Sequence, residues 1–310
     1  MCQSQSVELI CGDQTRLAGD LWLSRSGAAG SIIINCATGV AARYYHRYAA
    51  FLAEHGFDVL TYDYRGIGRS RPNSLKGCCY RWRDWGELDV EAALQFMHAQ
   101  GRGNAVLVVG HSIGGFLLGL AKSAPLVTRA LTVGAQYAWW GDYASQSRRA
   151  LFWKWHIVMP ILTFACGYFP GKRLGWLEDL PAGVAYEWSF RGPRFERSHT
   201  RKNRQDVLRC VASVKADILA LCISDDDLGT PAAIDRTLAY FSGSRRTTVL
   251  IEPGDYGRRA IGHFGLFHDS HKNGFWLDTL LWLRDGTNPW PDKIGKVYVP
   301  DTLPSSPRSI

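Results

Sequence analysis

The chain of 310 residues is long enough for one large α/β domain or two small ones, and its 46% apolar and 21% charged residues are those of a globular protein. The excess of 36 Lys and Arg over 28 Asp and Glu leaves +8, too diffuse for a nucleic-acid surface, and no aromatic and basic interleaving accompanies it. The eight cysteines lie mostly inside apolar runs, and Cys78 and Cys79 are adjacent, which points to free thiols in a reducing, cytoplasmic setting rather than a disulfide framework. No Cys/His spacing suits a zinc ion, and the first residues lack the basic-then-apolar pattern of a secretory signal.

Ser6–Cys11 and Asp20–Ser24 read as two short strands around a polar turn at Gly12-Asp13, an antiparallel lead-in. Ser31–Asn35 is a third strand, followed by Cys36-Ala37-Thr38-Gly39-Val40 and a helix over Tyr44–His55. Phe57–Tyr62 is the next strand. It leads into Asp63-Tyr64-Arg65-Gly66-Ile67-Gly68, where Asp63 and Arg65 are expected to pair and hold the turn. Glu87–Gln100 carries Val90, Ala93, Leu94 and Met97 on one helical stripe and stops at Gly101. Ala105–Val109 and Arg129–Val133 are further buried strands, so strands and helices alternate from residue 31 to about 134. That alternation predicts a parallel sheet covered by helices on both faces.

The pattern then breaks until Asp217–Ile223. The roughly 80 residues between hold six of the 12 tryptophans, and a structureless loop of that length is not expected in a compact domain. Residues 135–211 are therefore expected to form a helical, aromatic-rich cap on a core made of residues 1–134 and 212–290. Phe152–Phe169, its most apolar part, is short for a membrane span and carries Lys154, His156 and Pro160. Stable membrane insertion is rejected, and an interfacial anchor is the membrane role left open. Arg191–Arg204 reads as a solvated basic face. Pro231–Tyr240 is a helix, Thr247–Ile251 the last strand and Phe275–Leu283 a closing helix. Residues 291–310, rich in Pro, Ser and Asp, read as a flexible C-terminal tail.

The chemistry centres on Gly110-His111-Ser112-Ile113-Gly114, between a buried strand and the apolar run Phe116–Ala121, which continues as a helix. A serine on so tight a turn is forced into a strained backbone conformation that lifts its hydroxyl clear of the sheet. The flanking glycines let strand and helix approach where a Cβ would clash. Ser112 is the predicted nucleophile. Its hydroxyl needs a base, and the base needs a carboxylate to hold its tautomer. In this topology the acid follows a strand after the insertion and the histidine follows the last strand. Asp225-Asp226-Asp227 and Gly262-His263-Phe264-Gly265 fill those slots. Asp226 is chosen because Leu228, two residues on, can anchor the loop, with Asp227 second. His263 is chosen for its flanking glycines, with His268 second. His111 is expected to pack beside the turn, and Cys36 to be a small buried residue at a strand end. For an oxyanion hole, the backbone N–H groups of Ile113 and Val40 are assigned.

In combination, GHSIGG, DDDLGTP and GHFG in that order resemble the α/β-hydrolases over about residues 30–285. ATGV, YDYRGIGRS, the segment from WHIVMP to GYFPGKRLGWLEDLP, and GHFGLF resemble a narrower group of bacterial esterase- or lipase-like hydrolases. Where many relatives carry His-Gly at the oxyanion loop, this chain has Thr38-Gly39. The resemblance implies a mostly parallel eight-stranded sheet, a cap after the sixth strand, no metal or organic cofactor, and serine-dependent cleavage of an ester or similar acyl bond in a small molecule. An acyltransferase with the same three residues and a catalytically silent binding protein on the same fold are the competing expectations.

Overall fold

Five apolar runs without alternation become strands buried on both faces, and their register fixes where the loops emerge. The computed structural model describes residues 3–25, 28–100 and 105–300. Cys2, the expected helix stop at Gly101 and residues 301–310 of the expected tail lie outside that range.

The strands are β1 (Ser4–Ile10), β2 (Arg16–Trp22), β3 (Ser31–Asn35), β4 (Asp58–Tyr62), β5 (Val106–His111), β6 (Val127–Val133), β7 (Asp217–Ile223), β8 (Arg246–Ile251) and β9 (Ile294–Tyr298). They form one sheet in the order β1-β2-β4-β3-β5-β6-β7-β8-β9. From β4 to β8 all pairings are parallel. The β1–β2 hairpin joins β4 antiparallel, as the lead-in was expected to do. Every residue of β3, β4 and β5 is buried, which is why these segments lack the period-two pattern of a half-exposed strand.

The chain runs from β3 to β4 on one side and then crosses to β5 on the other. Loops leaving β3 and β5 therefore diverge, and a crevice opens at the carboxyl ends of these two strands. Asn35 lies opposite Gly110 in the register, so the loop from Cys36 and the turn at Ser112 start side by side.

The helices between β6 and β7 occupy the expected insertion. A run from Arg148 to Cys166 contains a π-turn at Trp153–Val158 and stops at Gly167 in the left-handed region (φ 77°). The helix Ala182–Ser189 packs against it, with Trp155 stacked on Trp188 at 4.5 Å between ring centres. The insertion is tied to the body where Glu178 N–H donates to the Gly39 carbonyl (2.8 Å) and Arg43 pairs with Glu178. Trp153, Ile161 and Phe164 on the long run are exposed, so that run is only half covered by the body. Among the described residues no helix is long and apolar enough to cross a membrane.

Three expectations are corrected. Ile294–Tyr298 is no loose tail: it pairs antiparallel with β8 as a ninth strand, and the preceding Trp290 is buried against Phe275. Its side chains are largely exposed, Ile294 and Val297 as well as Lys296, so it forms a sheet edge without an inward apolar signal. Arg191 is not solvated: its guanidinium is buried over the rings of Trp82 and Phe195. Arg65 pairs with Asp89 (2.6 Å) and Asp13 (2.7 Å) rather than with Asp63, whose carboxylate accepts the backbone N–H groups of Ala42 and Arg69.

Candidate active site

Ser112 directly follows β5 with φ 55° and ψ −127°, one of three described non-glycine residues with positive φ. A β-branched or bulky side chain would resist that conformation, and even for serine it stores strain. Its N–H is fixed by the Val133 carbonyl of β6 (2.9 Å). A Cβ on Gly110 would collide with Gly115, and one on Gly114 with the Asn35 carbonyl, so both glycines of the turn are steric necessities. The helix opening at Ile113 is shorter than the apolar run suggests: α-helical bonding ends at Leu117 and tightens into a 3-10 turn over Leu118–Leu120.

Asp226 lies in the loop after β7. One carboxylate oxygen accepts the N–H groups of Leu228 and Gly229, each at 2.8 Å, and the other takes Nδ1 of His263 at 2.7 Å. Leu228 thus fixes the loop through its backbone as well as its side chain. Burial raises the Asp226 pKa, but the His263 ring and the two backbone donors outweigh it and hold the carboxyl below its ordinary value. A carboxylate only accepts, so the proton sits on Nδ1 of His263, and Nε2 is left with its lone pair. Among the described residues Nε2 has no hydrogen-bond partner.

Ser112, Asp226 and His263 line one cavity of about 280 Å³. Ile113 and Thr38 also line it, and Gln136 brings its side-chain amide to 3.4 Å from the Ser112 hydroxyl. Gln136 was not singled out from sequence. Its position directly after β6, beside the turn of β5, is the signal that could have found it. Much of the remaining wall is aromatic and apolar, with Trp82, Trp155, Trp176 and Trp188 beside Leu151 and Leu177, and Lys154, Asp225 and Asp227 add charge to it.

The rejected alternatives have other occupations. His268 is exposed and bonds Ser270, and it lies on a different cavity. Asp227 accepts from the Gln146 amide, and Asp225 from the N–H groups of Ile261 and Gly262. Cys36 is fully buried, and burial, with the Asp63 charge nearby, pushes its thiol well above the ordinary range. His111 is buried between Tyr45 (OH to Nδ1, 2.7 Å) and the His263 carbonyl (Nε2, 2.8 Å). Burial and the neighbouring His263 lower its pKa to about 3, so it is neutral.

The Val40 assignment is overturned. Its N–H closes the turn onto the Ala37 carbonyl (3.2 Å), and its side chain lines the other cavity. Thr38, two residues closer to β3, has an N–H that meets no acceptor among the described residues.

A family model described as serine aminopeptidase, S33, matches residues 29–219. The chain belongs to this family. The match takes in the strand and turn that carry Ser112, and it ends before Asp226 and His263. The S33 hydrolase has the α/β-hydrolase fold, as solved relatives show at low identity. The Pyrococcus furiosus esterase Pf2001 is 15% identical with a TM-score of 0.59, the alignment covering 91% of each chain. The esterase domain of a Rhodothermus marinus protein is 17% identical with a TM-score of 0.52, covering 91% of this chain and 98% of that one. A thioesterase domain from the curacin biosynthetic pathway is 13% identical with a TM-score of 0.53, covering 89% and 98%. Among curated proteins none matches.

Proposed function

We propose that this hydrolase cleaves a carboxylic ester or similar acyl bond through an acyl-enzyme on Ser112. His263 takes the Ser112 proton through Nε2 as the hydroxyl attacks the carbonyl carbon, then delivers it to the leaving group. Asp226 holds the ring in that tautomer and stabilises the imidazolium. The tetrahedral oxyanion is received by the N–H groups of Ile113 and Thr38, the latter replacing Val40. Water, deprotonated in turn by His263, then releases the acid. The observation that carries this reading is the Asp226–His263 bond of 2.7 Å on the same cavity as a serine held at positive φ.

The tryptophan-lined wall favours a hydrophobic substrate, and residues 135–211 act as a cap over the site. Neighbours described as esterases and a family described as an aminopeptidase share acyl-transfer chemistry, so the ester is argued from the apolar wall. The chain is read as cytoplasmic on the basis of its cysteines, all seven described ones being free thiols.

A fluorophosphonate probe should label the wild-type protein on Ser112, with labelling lost in Ser112→Ala. Hydrolysis of p-nitrophenyl esters should fall to background in both Ser112→Ala and His263→Ala. Activity surviving both substitutions defeats the mechanism. Absence of labelling and of all ester turnover returns the chain to the silent-binder class. Acyl transfer to an added alcohol or amine in preference to water makes it an acyltransferase.

A further inference from the structure

The cavity wall opposite the sheet is apolar except for one cation. Lys154 lies in the π-turn Trp153–Val158, and its ammonium sits 4.5 Å from the ring centre of Trp155 and 4.4 Å from that of Trp176. Both rings and Lys154 line the cavity that holds Ser112. The faces of two indoles attract the charge, but they accept no directional hydrogen bond comparable to that of an oxygen. Among the described residues Lys154 has no carboxylate or carbonyl partner. The other carboxylates on the cavity are committed elsewhere: Asp225 to two backbone N–H groups, Asp226 to His263 and Asp227 to Gln146. Burial also lowers the lysine's pKa, in keeping with an ammonium stripped of part of its water.

A lysine on a helix with solvent within reach ordinarily extends its head into water. Here the head is held over two rings on the wall that faces the nucleophile. The π-turn contributes to this, since its extra residue resets the helical phase so that Trp153 faces out while Trp155 and His156 are buried. A cation with unfilled donors in an apolar cleft is a specificity element for an anion: a carboxylate entering the cavity gains a charge-assisted bond that a neutral group cannot make.

We propose that Lys154 is the subsite for a carboxylate on the substrate, distal to the acyl carbon attacked by Ser112, so that the preferred substrates are monoesters of dicarboxylic acids. The location of the reacting carbonyl rests on the acyl-hydrolase reading above. The same cation disfavours substrates with a free amino group at that position.

Two measurements test this separately from the enzyme reading. The first compares p-nitrophenyl monoesters of adipic and pimelic acid with their isosteric terminal carboxamides. Wild-type kcat/KM should favour the acids by about tenfold to a hundredfold, the size expected of one hydrogen bond to a charged group. The ratio should fall to near one in Lys154→Met and recover in Lys154→Arg. The second uses Ser112→Ala protein, in which no turnover occurs. Adipate should shift tryptophan fluorescence saturably, adipamide should not, and the response should vanish when Lys154→Met is added. A ratio near one in the wild type, or a ratio that Lys154→Met leaves in place, overturns the subsite. So does a Lys154→Met protein that melts earlier with its ratio intact, since the lysine is then only a brace between two tryptophans. Adipate binding in a protein that no fluorophosphonate labels upholds the subsite and defeats the hydrolase reading.

Discussion

Tyr45 offers a test of how the candidate site is held together. Its hydroxyl is fully buried and serves two partners: it accepts the Ala37 N–H at 3.0 Å and meets Nδ1 of His111 at 2.7 Å. The His111 Nε2 faces a carbonyl, which can only accept, so Nε2 carries the proton and Nδ1 must accept from the tyrosine. The chain of bonds therefore runs from the loop after β3, through Tyr45 and His111, to the backbone of His263. Tyr45→Phe leaves a buried donor on Ala37 and a buried acceptor on His111 unpaired. At roughly 1–3 kcal/mol for each such group, the cost should be about 2–6 kcal/mol. Tyr48→Phe is the matched control, because the Tyr48 hydroxyl donates only to Thr279 (2.8 Å), and the Thr279 hydroxyl keeps its own acceptor at the Trp276 carbonyl. One lost bond without an orphaned donor should cost about 0.5–1.5 kcal/mol. Urea denaturation with unchanged slopes measures both. The fluorophosphonate labelling rate should also fall in Tyr45→Phe and not in Tyr48→Phe, since only the first borders Thr38. Equal stability losses in the two variants would refute the relay.

Other outcomes follow from single positions. Gly134 has φ 55°, and a Cβ there would stand 2.7 Å from the Asp226 carboxylate and 3.2 Å from the His263 ring. Gly134→Ala should displace that pair and lower kcat about a hundredfold, and turnover near wild type would show that the pair tolerates the intrusion. The Asp226 pKa is lower in the folded state than its ordinary value, so its ionised form stabilises the fold above that value and the contribution disappears as pH falls through the folded one. Asp226→Asn should therefore flatten the loss of stability measured by denaturant titration below about pH 4, whereas an unchanged acid limb removes Asp226 as a contributor. Trp290 is buried, stacks on Phe275 and donates its indole N–H to the Tyr256 hydroxyl (2.9 Å). Trp290→Ala should cost about 3–5 kcal/mol, and a loss below about 0.5 kcal/mol would restore the loose tail.

What was legible in the sequence is what short-range sterics and buried runs dictate. Ser31–Asn35 and Asp217–Ile223 occur with the expected bounds because all but one of their residues are buried, leaving no ambiguous ends. The turn at Ser112 was legible because its glycines answer to local collisions. Asp226 and His263 followed from the order of strands, which decides what reaches the sheet's carboxyl edge. The engagement of the Val40 N–H within its own turn has a reason that was available in the sequence. Gly39 has φ 69° and is the third residue of a turn from Ala37 to Val40, and in such a turn the fourth N–H is the one that closes it. The partners of Arg65 were out of reach because Asp89 lies 24 residues away on a separate helical segment. Strand β9 was hidden because an exposed edge strand carries no inward stripe, and its anchors are a single tryptophan and the bonds of Lys296 and Tyr298 to Asp235.

The division between body and insertion has a physical basis in which contacts can vary independently. Ser112, Ile113, Asp226 and His263 sit on loops fixed by the register of β5, β7 and β8, and Gly110 and Gly114 tolerate no added atoms. Any change there disturbs the packing of the sheet and the reacting groups together. The walls are different: apart from Trp82, the large wall residues Leu151, Lys154, Trp155, Trp176, Leu177 and Trp188 all come from the segment between β6 and β7. The insertion touches the loops carrying the reacting groups through two sets of contacts: Leu177 covers Gly39 and Glu178 bonds the loop that also carries Thr38, while the Ala144 N–H and the Gln146 amide bond Asp227, next to Asp226. Substitutions at Leu151, Lys154 or Trp155 can therefore reshape what enters the cavity without moving the serine or the histidine, while substitutions at Leu177 or Glu178 reach the loop that carries Thr38, and those at Gln146 the loop that carries Asp226. Under the proposed mechanism, substrate preference would be set mainly in the insertion and bond cleavage on the loops of the sheet, because these two sets of side chains share a cavity but are carried by different elements.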